Sequence, residues 1–230
     1  MNFKPLKYAL RTCMPVILGY LPAGFAFGLM MSSIGKGVFT SILMAVVMYA
    51  GAGQYIAVDF FKNNAELITI IITTFLVNSK HLFYGLSLIE KYKDTGVRKI
   101  YLMFALTDET YALLTSTKFP EDVNKNTYMF LVSLINHISW ILGCTLGAVF
   151  GKAVAFNSEG LDFAMTALFI VIIIEQWRSF KTKLPFAIGA LSAIFALIVF
   201  GKTYMLLGGS AIGVIALLIF RKRIEENDRA

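Results

Sequence analysis

Eight apolar runs of 17 to 25 residues follow one another along this chain, near 13–31, 38–60, 65–89, 100–117, 127–150, 161–177, 184–200 and 203–220. About 20 apolar residues in a helix cross the roughly 30 Å hydrocarbon core of a bilayer. In that solvent each backbone polar group must find its partner inside the structure, which leaves helices as the spanning element. The expected fold is an all-α polytopic membrane protein, a bundle of about 6–8 transmembrane segments. It forms one integral domain over 1–230, with short tails at 1–12 and 221–230. Composition agrees: 57% of the residues are hydrophobic and 15% charged, too apolar for a soluble domain of 230 residues to bury.

The net charge of +7 invites a nucleic-acid reading, but its placement argues against one. Basic residues fall in clusters between the apolar runs: Lys4, Lys7 and Arg11; Lys91, Lys93, Arg98 and Lys99; Arg178, Lys181 and Lys183; Arg221, Lys222 and Arg223. Flanks of membrane helices look like this, with Lys and Arg held on the cytoplasmic side, and both termini are expected there. No folded basic face remains for a phosphate backbone, so no nucleic-acid partner is expected. Cys13 and Cys144 lie inside apolar runs and read as small core residues. No metal or cofactor fingerprint is present, so neither is expected. The first run passes through Pro15 and Pro22 into a second one, unlike a cleavable leader.

Counting eight simple crossings from a cytoplasmic N-terminus puts the 91–99 cluster on the wrong side. The conflict disappears if two segments do not cross. The stretches "YAGAGQ" (49–54) and "TDET" (107–110) are good places for a helix to break, so interrupted or re-entrant helices are expected near 50–54 and 107–110. Six full spans then remain, and every basic cluster is cytoplasmic. Otherwise eight spans remain and one loop departs from the rule.

Polar residues concentrate at two places along the apolar runs. "FLVNSKHLFYGLSL" (75–88) sets Asn78, Ser79, Lys80 and His81 in the middle of its run, where a charge costs roughly 3 kcal/mol. "FALTDETYALL" (104–114) supplies Asp108 and Glu109. The loop between centres on Asp94, with Lys80 fourteen residues before it and Asp108 fourteen after. An antiparallel hairpin would therefore bring the cation and the acids to one depth. At 100° per residue Lys80, His81 and Tyr84 share an arc, and Thr107, Asp108 and Tyr111 share another.

Such a pair can simply hold helices together. Two carboxylates for one fixed cation, beside a titratable His, point instead to a substrate or proton pathway. Gln54 and backbone freed at Gly51 and Gly53 are candidate contacts for an amino or carboxylate group. Asp108 is the expected anchor and Glu109 the expected proton carrier, with His81 its rival. A membrane-embedded enzyme using His81 with Asp108 or Glu109, and a non-transporting scaffold or sensor subunit, are the competing readings. Asn136, His137, Ser139 and Trp140 form a polar patch that either lines a cavity or joins helices. Gly24/Gly28, Gly143/Gly147/Gly151 and Gly209/Gly213 repeat at i+4, as helix faces in close approach do.

"YAGAGQYIAV" (49–58), "LVNSKHLFYGLSL" (76–88), "ALTDETYAL" (105–113) and "GLDFAMTALFIV" (160–171), in this order, resemble the AzlC family, the large subunit of branched-chain amino-acid exporters. The resemblance implies export of branched-chain and other hydrophobic amino acids across a bacterial inner membrane, driven by the proton gradient. It also implies a partner, a small AzlD-type membrane subunit. Lys80 stands where the family commonly has Arg, which keeps the charge but loses the bidentate fork.

Overall fold

A computed structural model describes residues 4–79, 81, 84–85, 88–116, 123–153, 170, 173–174, 177, 182–221 and 224. Lys80 and nearly all of the 161–177 run lie outside the described residues. The described elements are helical: α1 (Lys4–Ser33), α2 (Gly37–Val47), α3 (Gly51–Asn63), α4 (Leu67–Asn78), α5 (Arg98–Phe104), α6 (Asp108–Ser116), α7 (Lys125–Ala153) and α8 (Leu184–Ile219). Packing groups the chain into two compact units, Met1–Asn64 with Ser79–Asp162, and Ala65–Asn78 with Phe163–Ala230.

The first unit is built on α1 and α7, both long and apolar enough to cross a membrane. They run parallel. Thr12 Oγ1 lies 2.7 Å from Tyr128 OH near one end, and Gly151 faces Ser32 at the other. Between these points the backbones touch, because the i+4 glycines of each helix face those of its partner. A Cβ on Gly28 would overlap the backbone of Cys144 and Ala148, and one on Gly147 would overlap Phe25. α1 begins at Lys4, well ahead of the apolar run, because its first turns also carry core residues. Ala9 and Cys13 pack with Leu88, Tyr92, Leu102, Tyr128 and Val132. Cys13 and Cys144 are free and buried, as expected of small core residues.

The two suspected segments are interrupted, and each turns back on itself. α2 and α3 are separated by Met48–Ala50, where Tyr49 holds φ +40. Were the pair straight, Lys36 and Phe61 would be separated by about 37 Å at 1.5 Å per residue. Instead the Lys36 ammonium sits 4.8 Å from the Phe61 ring, so the start of α2 meets the end of α3. Likewise α5 and α6 are separated by Ala105–Thr107, and Lys91 Nζ, ahead of α5, donates to Leu114 O in α6 at 2.9 Å.

The hairpins enter from opposite ends of the α1/α7 pair. α5 starts beside the beginning of α7, with Arg98 on Thr127 and Phe130, and Phe104 reaches His137. α2 comes the other way, and its Ala45 carbonyl also reaches His137. Both breaks lie slightly upstream of where the glycines and polar residues suggested. Gly51 and Gly53 sit inside the first turn of α3, while the turn itself is made by Tyr49 in a left-handed conformation that costs a non-glycine residue about 1 kcal/mol or more.

In the second unit α8 begins with a proline in its first turn, where no amide donor is lost. At Gly201 the backbone takes φ 69 and ψ −179, a conformation open to glycine alone. Beyond it the chain doubles back. The Gly209 backbone faces Ala193 and Ala196, and Gly213 faces Ser192. α8 therefore contains the two runs expected at 184–200 and 203–220, packed through the Gly209/Gly213 face. α4 packs against it.

Candidate functional site at the hairpin tips

Where the hairpin tips meet α1 and α7, the apolar first unit holds a buried polar cluster. The α6 end is built by its own sequence. Thr107 caps the helix, its Oγ1 accepting from Thr110 N–H at 3.3 Å, and Asp108 and Glu109 occupy the first turn, where the helix dipole favours anions. From α1, Tyr20 OH reaches Glu109 Oε2 at 2.6 Å and Thr107 Oγ1 at 2.7 Å. Thr107 donates to Thr110 Oγ1 at 3.1 Å, and Asn136 Nδ2 of α7 donates to the same oxygen at 3.0 Å. Tyr20, Thr107, Thr110 and Asn136 are buried, whereas Glu109 is exposed at the edge of the cluster.

Three oxygen–oxygen contacts therefore run in series from the exposed Glu109 carboxyl through Tyr20 and Thr107 to buried Thr110.

The α2–α3 tip is held by α7. Breaking the helix leaves the Ala45 carbonyl to be satisfied from elsewhere, and His137 Nε2 lies 3.2 Å from it. A carbonyl only accepts, so in the neutral ring Nε2 carries the proton and Nδ1 accepts from Tyr101 OH at 3.1 Å. Tyr49 stacks on the same imidazole, with centroids 4.2 Å apart. His137 is thus a clamp across the interruption. One turn along, Trp140 Nε1 donates to Gln54 Oε1 at 2.8 Å, its indole edge lies against Gly51, and its ring packs edge-on to Tyr20 at 5.3 Å.

Of the residues the sequence singled out, Gly51, Gly53, Gln54, Thr107, Asp108 and Glu109 all stand at the two tips. Tyr84 stacks on Tyr111 at 4.4 Å, its hydroxyl meets the Asp108 carboxylate, and His81 sits edge-on to it at 5.9 Å. Asn78 is in the second unit and donates Nδ2 to Thr74 O within its own helix at 2.9 Å. The facing of Lys80 with the acids falls outside the described residues. Tyr20, Tyr49 and Thr110 escaped sequence reading, since a lone Tyr or Thr in an apolar run carries no signal of its own. Asn136 and Trp140 were visible as a polar patch, and both line this cluster.

Comparison with known proteins places the chain among membrane proteins. The family model "AzlC protein" matches residues 15–154, the stretch that holds both hairpins and α7. The chain is 37% identical over 212 residues to the "Branched-chain amino acid transport protein AzlC" of Bacillus subtilis, covering 92% of this chain and 84% of that one. It is 36% identical over 222 residues to an "Uncharacterized membrane protein" of Helicobacter pylori, covering 96% and 97%. It is 24% identical over 218 residues to the "Inner membrane protein YgaZ" of Escherichia coli, covering 91% and 88%. No solved structure matches the chain. Interrupted helices, glycine-packed α1 and α7, and extended identity to these membrane proteins lead to one assignment: the chain belongs to the AzlC family.

Proposed function

We propose that this protein is a secondary transporter that exports branched-chain and other hydrophobic amino acids in exchange for protons, the whole chain acting as one integral domain. The observation that carries the reading is the meeting of two half-helix N-termini, each at the tip of an interrupted hairpin, at a buried polar cluster inside an apolar body. Irregular backbone at membrane depth persists only where it is enclosed by protein or lines a cavity, and half-helix N-termini suit anionic groups of a substrate. The name of the Bacillus subtilis relative supports the substrate class. Lys80 is assigned to balance Asp108 and Glu109, with His81 and Tyr84 beside them. Asp108 meets the substrate ammonium, and Glu109 takes the coupling proton. Both termini face the cytoplasm of a bacterial cell, and the chain works with a small AzlD-type membrane subunit.

Vesicles reconstituted with the chain, alone and with that subunit, test the proposal. Labelled Leu, Val and Met should accumulate against a pH gradient while Lys does not. Absence of flux for all four, with correctly inserted protein of both kinds, would refute it.

A further inference from the structure

Among the buried polar atoms at the hairpin tips that lack a hydrogen-bond partner, Tyr49 OH included, two belong to amide side chains. Among the described residues, Gln54 Nε2 and Asn136 Oδ1 have no hydrogen-bond partner, and both side chains are fully buried. A donor left unpaired in an apolar interior is costly, and so is an acceptor. One is a pure donor and the other a pure acceptor, and the first is locked in orientation by its opposite end.

Trp140 fixes the first. An indole N–H can only donate, so the Gln54 amide must turn its oxygen toward Nε1, and its NH₂ is thereby presented away from the tryptophan. Gly51 precedes Gln54 by three residues and lies against the same indole edge, 3.4 Å from the ring carbon to a Cβ built on Gly51. The amide therefore sits over the first turn of α3. That helix of 13 residues has no side-chain cap, and its first intrahelical bond is Gln54 N to Ala50 O. The amides of Gly51, Ala52 and Gly53 come earlier and lack intrahelical acceptors. The second amide pairs with Thr110. Asn136 Nδ2 donates to its hydroxyl, which leaves Oδ1 as the presented acceptor. Asn136 and Trp140 are four residues apart on α7, so they share a face with Cβ atoms about 6 Å apart.

We infer that this face of α7 reads the two charges of an α-amino acid. The substrate carboxylate is received by Gln54 Nε2 and the open first turn of α3, and the ammonium gains Asn136 Oδ1 as a second acceptor beside Asp108. Trp140 is a positioning residue, acting on the carboxylate through the amide it orients. This deepens the transport reading and rests on it.

The test compares three probes on the purified, reconstituted protein: L-leucine, leucinamide, which lacks the carboxylate, and 4-methylpentanoate, which lacks the ammonium. Wild type should prefer leucine to each analogue by roughly 10- to 100-fold in binding, the range for a hydrogen bond to a charged group. Trp140→Phe keeps the ring but loses the N–H, and Gln54→Met keeps the volume but loses the amide. Either should collapse the preference over leucinamide while leaving the preference over 4-methylpentanoate. Asn136→Leu should do the reverse. A preference ratio does not depend on the folded fraction, so a partly unstable variant still reports. If leucine binds and all three variants keep both wild-type ratios, the subsite is wrong and the transport reading stands. If wild type binds no amino acid, both fall together.

Discussion

Glu109→Gln is expected to uncouple transport without abolishing it. The amide is isosteric with the carboxylate and can still meet Tyr20 OH, so the tip of α6 keeps its shape. It cannot release a proton, so the proposed carrier is held in a single protonation state. For one proton exchanged per substrate, a pH difference of one unit is worth about 1.4 kcal/mol, or a tenfold accumulation. The variant should show no gradient-driven accumulation while retaining counterflow exchange of labelled for unlabelled substrate. Tyr20→Phe removes the next oxygen in the series and should impair coupling in the same direction. If Glu109→Gln keeps full accumulation and His81→Gln loses it, the proton belongs to the histidine.

The other large effect is structural. Gly147 meets the backbone of Phe25, which no side-chain rotation can move aside. Gly147→Val should push α1 from α7 and cost about 3 kcal/mol or more, at the upper end of overpacking penalties. Because Tyr20 and Asn136 reach the cluster from these two helices, loss of substrate binding should accompany the lower thermal midpoint. Gly189→Ala is the matched control, since a Cβ there meets nothing within 4 Å, and it should leave the midpoint unchanged or slightly raised. A Gly147→Val protein with the wild-type midpoint would show that the close approach of the helices is dispensable.

Much of this architecture was legible because the bilayer allows so few alternatives. The misplaced 91–99 basic cluster, together with "YAGAGQ" and "TDET", pointed to two segments that break and turn back, and both are interrupted hairpins. The i+4 glycines likewise announced close helix packing. What stayed hidden depends on tertiary context. Glycine is permissive of a break but does not force one, and the chain turned at Tyr49 because His137 offers both a stacking surface and a donor for Ala45 O. Tyr20 is one aromatic among many in an apolar run, and only the return of α6 toward α1 makes it a partner of Glu109. Hydroxyl series of this kind have no sequence period.

The site between the helix tips requires both hairpins. Cys13 and Cys144 are buried, which leaves a quiet background for single cysteines placed at the exposed positions Lys36, Lys62, Lys93 and Lys125 and probed with a membrane-impermeant thiol reagent. Re-entrant hairpins predict that positions 36 and 62 react from one side of the membrane, and positions 93 and 125 from the other. If 36 and 62 react from opposite sides, or 93 and 125 do, that segment crosses the bilayer, its tip cannot meet the other's, and the site described between them does not exist.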